Sequence, residues 1–241
     1  MIEVSDLTVR FGGVTPIDDM SVTLGSGVNG LIGPNGAGKT TFFNVLSGFV
    51  TPSHGTVTAF GDDLLAMPNF RRVHWGLRRT FQTEQAVATM TVFENVLMVL
   101  EHTGAPSTAR RSNVIDAAEF VGLGRVLDHK VGSLGAAERR LVEVARAVVG
   151  TPRLVLLDEP AAGLPDEETA SLGDVITRIP EFTGALVVLV DHDMELVGQT
   201  CAQAAVLDFG HVIASGPTRE VLAHPHVMAA YLGTEEIGVE A

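Results

Sequence analysis

The sequence has one cysteine, few basic residues and no long apolar run, and each absence excludes a class of protein. Cys201 alone cannot form an internal disulfide, and we expect this thiol to be a small buried hydrophobe. With 16 basic against 29 acidic side chains, the net charge of −13 argues against nonspecific nucleic-acid binding, which needs a basic face. The longest apolar runs, such as 185–190, are far shorter than the ~20 residues of a membrane-spanning helix.

The remaining composition is that of a folded protein with a sizeable core. Its 241 residues, 46% of them hydrophobic, suit one large domain or a domain with a subdomain. The first residues lack a basic segment followed by an apolar core, so we expect the chain to stay in the cytoplasm.

The most specific motif lies between an apolar run at 28–32 and the apolar helix pattern that follows Thr41. Gly33, Gly38, Lys39 and Thr40 match the pattern G-x-x-x-x-G-K-[ST]. Such a loop lets backbone N–H groups approach a triphosphate, while the lysine reaches the β and γ phosphates and the hydroxyl ligates Mg²⁺. A glycine-rich turn before an ordinary helix does not explain residue types, spacing and flanking elements together. We therefore predict that a nucleoside triphosphate with Mg²⁺ binds at Gly33, Pro34, Asn35, Gly36, Ala37, Gly38, Lys39, Thr40 and Thr41.

Apolar spacing predicts an α/β fold. Alternation over 2–24 indicates antiparallel strands, whereas the uniformly apolar runs 154–157 and 185–190 are typical of buried parallel strands. The other predicted elements are a strand at 55–60, a polar turn at 61–63, helices at 92–100, 114–121, 136–149 and 166–179, a polar link at 104–112, a hairpin of 204–208 with 211–214, and two short helices within 218–232 before a frayed end at 234–241.

A pair of acids follows the apolar run 154–157. Because ligands bind at the carboxyl ends of parallel strands, Asp158 can hold Mg²⁺ and Glu159 can polarise the attacking water. Acids ending a strand in a solvated turn are an adequate alternative for the dipeptide alone. The preceding phosphate loop favours the hydrolytic interpretation.

Three further residues have two interpretations each on the sequence alone. His192 ends the run 185–190 and either hydrogen-bonds the γ-phosphate or is a surface histidine between two acids. The Gln82 amide can ligate Mg²⁺ or position water, although one glutamine is a weak signal. Phe11 either offers its ring to a purine or is a core phenylalanine.

Taken in order, the loop 33–40, Gln82, the run 154–159 and His192 resemble the ATP-binding subunit of an ABC transporter, and the resemblance covers nearly the whole chain. More closely, the segments similar to the branched-chain amino acid importer group are 11–13, 79–82, 158–164, 191–194 and 230–233. The resemblance implies a P-loop ABC ATPase core with a parallel sheet, an N-terminal antiparallel β-subdomain and an α-helical subdomain. In one ABC domain over 1–241, the core with its β-subdomain would take 1–80 and 151–241 and the helical subdomain 83–150.

The resemblance also implies roles and partners. Phe11 would stack on adenine, Gln82 would couple nucleotide to the membrane partner, Asp158 would hold Mg²⁺, Glu159 would be the catalytic base, and His192 the switch histidine. The implied partners are transmembrane permease subunits, a second ABC ATPase subunit and, indirectly, an extracytoplasmic solute-binding protein. The chain would then be peripheral on the inner face of the cell membrane.

One segment departs from the family pattern. The family's Leu-Ser-Gly-Gly-Gln signature corresponds here to residues 134–138, Leu-Gly-Ala-Ala-Glu, which lack the serine and both glycines. An alanine placed where positive φ is needed would cost roughly 1–2 kcal/mol. Ser133 could supply the missing hydroxyl only if the loop at the signature were two residues longer than this gap-free correspondence assumes. Because each site of the family's head-to-tail dimer joins one phosphate loop to the partner's signature, this departure predicts pairing with a paralogous subunit.

Other functional interpretations explain fewer of the motif residues. The weak signature favours a regulatory subunit with little turnover, whereas Glu159 and His192 oppose it. The acidic charge opposes an ABC ATPase that acts on DNA or ribosomes, and the Asn-Lys-x-Asp motif of GTPases is absent.

We interpret Arg71, Arg72, Arg78 and Arg79 as solvated, salt-bridged residues, some facing a permease, in preference to a membrane or nucleic-acid patch. Pro165 and Asp166 stand where the importer group usually has Asn-Pro, which puts communication between the two sites of a dimer in doubt.

Overall fold

The computed structural model describes residues 1–103 and 106–227. Its strands are β1 (Ile2–Phe11), β2 (Val14–Leu24), β3 (Val28–Ile32), β4 (His54–Ala59), β5 (Asp62–Asp63), β6 (Leu77–Arg79), β7 (Leu154–Asp158), β8 (Leu186–Val190), β9 (Gln203–Asp208) and β10 (His211–Pro217). Its helices are α1 (Lys39–Ser47), α2 (Asn69–Trp75), α3 (Val92–Glu101), α4 (Ser107–Phe120), α5 (Ala136–Val148), α6 (Asp166–Thr183), α7 (Met194–Thr200) and α8 (Thr218–Leu222), with short 3-10 turns at Gly124–Val126 and Val131–Ser133.

Two sheets organise these elements. The first is antiparallel, in the order β2-β1-β4-β5, and the second has the order β10-β9-β3-β8-β7-β6. Within the second sheet only the edge strand β10 is antiparallel to its neighbour. The carboxyl ends of β3, β7 and β8 therefore lie at one edge, and this arrangement brings the phosphate loop, Asp158 and the 191–193 segment together.

The parallel strands are buried because each face packs into a different core. Leu154 and Leu156 of β7 pack with α1 and the antiparallel sheet, whereas Val155 and Leu157 pack with α3 to α6 on the other face. Cys201 lies in the second of these cores with 5% of its surface exposed, as expected for a small hydrophobe. Burial, reinforced by the Asp191 charge, raises the pKa of this thiol to about 12, so it stays protonated at neutral pH.

Several sequence-based boundaries are wrong. The polar turn predicted at 61–63 contains β5, because Asp62 and Asp63 pair with the end of β4. The link predicted at 104–112 is too long, since α4 begins at Ser107; its first turns are polar and largely exposed, which removes the apolar periodicity that marks a helix. Strand β6 was not predicted. Helix α6 continues through Pro180 to Thr183, because a proline in the last turn removes only one backbone donor.

The other predicted elements are confirmed to within a few residues. The predicted tail begins with α8. Outside the described residues lie part of its second predicted helix, the 230–233 segment and the predicted frayed end at 234–241. None of the helices in the described parts of the chain combines the length and hydropathy needed to cross a bilayer.

Candidate nucleotide and magnesium site

The phosphate loop connects β3 to α1 in a conformation that only glycine tolerates at two positions. Gly38 has φ of 111°, and a Cβ there would lie 2.3 Å from the Pro16 carbonyl oxygen. At Gly33 (φ 149°) a Cβ would lie 2.0 Å from the Leu207 carbonyl oxygen. The backbone is thus packed against β2 and β9 on its far side, which leaves its near side without side-chain bulk.

Among the described residues, no side chain caps the N-terminus of α1. Gly38 is the N-cap residue, and the first turn contains no acidic residue. The first N–H groups of the helix are therefore available to an anion, and the helix dipole favours one. Thr40 lies exposed in this first turn.

Lys39 is 7% exposed and folds back over the loop, where its ammonium group donates to the carbonyl oxygens of Gly33 and Pro34, the latter at 2.9 Å. Burial lowers the pKa of Lys39, and the nearby charges of Glu159 and Asp158 act in the opposite direction. The lysine is therefore held at the loop by carbonyl groups that a phosphate can replace as partners.

Asp158 ends β7 and is 4% exposed. Its Oδ2 accepts a hydrogen bond from Arg79 Nη2 at 2.8 Å, and its backbone N–H donates to Thr80 Oγ1 at 3.0 Å. Its Oδ1 has no hydrogen-bond partner within 1–103 and 106–227. One carboxylate oxygen of Asp158 is thus free for a metal.

Glu159 has φ of 47°, the left-handed conformation that non-glycine residues rarely adopt. Its N–H donates to the Val190 carbonyl oxygen at 2.7 Å, which ties the turn after β7 to the end of β8. Its Oε2 accepts a hydrogen bond from Gln82 Nε2 at 2.9 Å. Two residues that are 77 positions apart in the chain are thereby brought together.

His192 follows β8 with a side chain that is 66% exposed, its Nδ1 3.6 Å from Asp191 Oδ1. Asp191 is 1% exposed and accepts from the backbone N–H groups of His192 and Asp193, at 2.8 and 3.1 Å. Burial raises the pKa of Asp191 despite these hydrogen bonds. In the described structure no hydrogen bond joins His192 to Lys39 or Glu159, and its imidazole is largely exposed.

Phe11 is not a core residue. It ends β1 with 53% of its surface exposed, beside the turn at Gly12. The core interpretation is therefore wrong, and the exposed ring is available to a ligand.

Magnesium fits the chemistry of the oxygen donors in this part of the chain. The Thr40 hydroxyl, Asp158 Oδ1 and the amide oxygen of Gln82 are hard oxygen donors, the type that Mg²⁺ prefers. Within the described residues no group of three or more His, Cys, Asp or Glu side chains could hold a metal by itself. A metal at this site therefore needs further oxygens, and nucleotide phosphates supply them.

The family model described as ABC transporter matches residues 17–162, which include the loop, Gln82, Asp158 and Glu159. The chain belongs to the ABC transporter family. A second model, described as branched-chain amino acid ATP-binding cassette transporter, matches residues 211–237. ABC ATP-binding proteins are ATPases, and this chain is an ABC-type ATPase that hydrolyses ATP to ADP and phosphate.

Curated relatives and solved structures agree with this assignment. The chain is 36% identical to LivG of Salmonella typhimurium, a high-affinity branched-chain amino acid transport ATP-binding protein, over 97% of this chain and 98% of LivG. It is 34% identical to BraF of Pseudomonas aeruginosa over the same shares. Among solved structures, the ABC cassette MJ1267 in its ADP conformation superposes with a TM-score of 0.87 at 26% identity, over 97% and 98% of the two chains. The predicted ABC ATPase fold is thereby confirmed, and these names give no support to a low-turnover regulatory subunit.

The segment that replaces the ABC signature is unstrained. Neither Ala136 nor Ala137 has positive φ, because both lie in the first turn of α5, so the strain expected for them is absent. Glu138 Oε2 accepts from the Gly135 N–H at 2.9 Å and thus places a carboxylate at this helix N-terminus. Ser133 Oγ donates to the Lys130 carbonyl oxygen at 2.7 Å, so this hydroxyl is already engaged.

The 165–166 segment forms the start of α6. Pro165 is its N-cap residue, and Asp166 opens a first turn of three acids, which the helix dipole favours.

The sequence analysis did not predict that three arginines near β6 are buried. Arg72 and Arg78 are 4% and 8% exposed, and burial lowers the pKa of Arg78 to about 10. The Arg79 side chain is 5% exposed and is paired with Asp158. Only Arg71 of the four is exposed, so the interpretation as solvated residues is wrong for the other three, whereas the expected salt bridge is confirmed for Arg79. The available signal was the apolar Leu77 beside them, which pairs in β6 with Leu154.

Proposed function

We propose that this chain is the ATP-binding and hydrolysing subunit of a membrane importer for branched-chain or related amino acids. The observation that carries the proposal is its similarity, over almost the whole chain, to LivG and BraF, whose names state that transport activity. The match at 211–237 supports the same assignment. In this proposal the chain lies on the inner face of the membrane, attached to permease subunits, and an extracytoplasmic binding protein delivers the solute.

The site residues have the following proposed roles. Phe11 stacks on adenine, the loop 33–41 wraps the phosphates, and Lys39 donates to the β and γ phosphates instead of the loop carbonyls. Thr40, Gln82 and Asp158 hold Mg²⁺, which when bound neutralises charge on the phosphates. His192 closes on the γ-phosphate from its exposed position.

Hydrolysis depends on Glu159 in this scheme. Its carboxylate accepts a proton from water as the water oxygen attacks the γ-phosphorus, the bond from γ-phosphorus to the bridging oxygen breaks, and ADP and phosphate leave. The hydrogen bond from Gln82 fixes the orientation of that carboxylate.

The proposed route to the permease is an apolar cleft of about 360 Å³ next to Gln82. Phe49, Phe70 and Phe81 line it, together with Glu143 and Ala147 of α5. Phe49 and Phe70 are 59% and 60% exposed, which is unusual for large apolar rings. A permease segment seated there would contact Phe81 directly before Gln82.

Uptake of labelled leucine by cells that contain this chain tests the proposed transported solute. We expect deletion of this chain to abolish high-affinity leucine uptake, the wild-type gene to restore it, and a Glu159→Gln gene not to restore it. Leucine uptake that survives deletion unchanged would rule out the proposed cargo, and labelled urea and phenylalanine measured in parallel would then show which solute depends on the chain.

The assembly that we propose is a heterodimer with a paralogous ABC subunit. The support is Glu138, because its carboxylate lies at the helix N-terminus that the family uses to meet the γ-phosphate held by the facing subunit. Like charges disfavour that contact, and the missing serine removes one donor, whose loss can cost about 10²-fold or more in rate. In the heterodimer this chain contributes Lys39, Asp158, Glu159 and His192 to the site that the partner's signature completes.

The isolated chain should therefore bind ATP but hydrolyse it slowly. Steady-state turnover and ATP binding are measured on the same preparation, so that poor folding is not mistaken for low activity. Turnover by the isolated chain at a rate typical of the family would refute the heterodimer proposal.

A further inference from the structure

Arg79 lies at the end of the edge strand β6, and its guanidinium group joins three elements of the site. Nη2 donates to Asp158 Oδ2 at 2.8 Å, whereas Nη1 donates to Asn44 Oδ1 at 2.7 Å and Ser47 Oγ at 3.2 Å. Asn44 and Ser47 belong to α1, the helix that begins at the phosphate loop, and Asp158 ends β7. One buried side chain thus fixes the distance between the phosphate-loop helix and the predicted metal ligand.

Two aromatic rings hold this guanidinium in place. Its central carbon lies 5.4 Å from the Phe43 ring centroid and 4.9 Å from that of Phe81, both within cation–π range. Phe81 immediately precedes Gln82, which donates to Glu159. The orientation of Arg79 is therefore linked to the Gln82 segment as well as to α1.

We propose that Arg79 is a positioning residue for Mg²⁺: it holds the Asp158 carboxylate by Oδ2 and so presents Oδ1 to the metal that accompanies ATP. The inference rests on the proposed function, since it assumes that Asp158 receives Mg²⁺ with the nucleotide. Arginine suits the task because its planar fork binds Asp158 and Asn44 at once, which a lysine ammonium cannot do with the same geometry.

The charge of Arg79 adds a second effect. Asp158 and Glu159 supply two negative charges beside the phosphate loop, and Lys39 supplies one positive charge. Without Arg79 this set would be net negative and would repel the phosphates of ATP; with it, the set is neutral.

The test measures how much Mg²⁺ strengthens nucleotide binding, which needs no turnover. A non-hydrolysable ATP analogue is titrated with excess Mg²⁺ and again with EDTA, and the ratio of the two Kd values is the magnesium advantage. In Arg79→Met we expect this advantage to fall by about 10–100-fold, the usual effect of removing a residue that orients a metal ligand. Binding in EDTA should also weaken, because the site loses one positive charge, but the loop and Lys39 are intact, so this loss should be much smaller than the loss in excess Mg²⁺.

Arg153→Met is a matched control. Arg153 also pairs with an aspartate, Asp62 at 3.1 Å, and lies over two rings, Trp75 and Phe60, but it precedes β7 at the end opposite Asp158. Its magnesium advantage should equal that of the wild type. An unchanged advantage in folded Arg79→Met would overturn the inference.

Asn44→Ala supplies an independent test in case Arg79→Met does not fold. It keeps the charge of Arg79 and removes the shorter of the two hydrogen bonds that hold Nη1, so we expect a smaller loss of the magnesium advantage. An advantage equal to the wild type's would overturn the inference. Failure of the wild type to bind nucleotide at all would instead refute the proposed function, so the two failures are distinguishable.

Discussion

Glu159→Gln should lower ATP turnover by about 10²–10⁴-fold while ATP binding persists, because the substitution removes a general base, and the loss of one negative charge does not weaken the binding of phosphates. The amide has the size of the carboxylate, and its oxygen can still accept the hydrogen bond that Gln82 Nε2 donates. The backbone bond from residue 159 to Val190 does not depend on the side chain. Loss of activity would therefore report chemistry and not local unfolding.

The measurement is steady-state phosphate release by the active assembly, with ATP affinity determined in parallel. Glu119→Gln is the matched control, since this exposed residue near the end of α4 loses the same charge far from the loop. Turnover within a few-fold of wild type in Glu159→Gln would exclude Glu159 as the general base.

The parts of the site that lie at strand ends were predictable from the sequence. The loop 33–40, Asp158 and Glu159 each follow an apolar run, and parallel strands bring such positions to one edge of the sheet. The pairing of Gln82 with Glu159 was not predictable from spacing, because it depends on a short strand, β6, that has only three residues. The resemblance to ABC transporters indicated both residues but not their contact.

The buried arginines show that a cluster of charged residues in the sequence does not by itself indicate exposure to solvent. Four arginines within nine positions read as a solvated cluster, yet the register of β6 with β7 directs Arg79 toward Asp158, and Arg72 donates to the carbonyl oxygens at the end of α1. Distant partners stabilise the guanidinium groups of Arg72 and Arg79, whereas that of Arg78 donates to the nearby carbonyl oxygens of Val73 and Leu77. Local composition contains no information about such partners, so the sequence could not distinguish buried from exposed arginines.

Lys39→Gln should weaken ATP binding by about 100-fold or more. Charge-assisted hydrogen bonds contribute about 1.5–3 kcal/mol each, and Lys39 is expected to make at least two to the phosphates. A loss of about 3 kcal/mol corresponds to roughly two factors of ten in Kd. The substitution also leaves the charges of Asp158 and Glu159 opposed by Arg79 alone, which increases repulsion of the phosphates.

Lys130→Gln makes an unusually clean control, because Lys39 and Lys130 are the only two lysines in the sequence. Lys130 is exposed and lies before the 3-10 turn at Val131–Ser133, so its replacement changes the net charge equally without touching the phosphate loop. ATP affinity is measured by titration for both variants. We expect Lys130→Gln to bind as the wild type does, and equal affinities for all three proteins would mean that the glycine loop and the N-terminus of α1 hold the phosphates without the lysine.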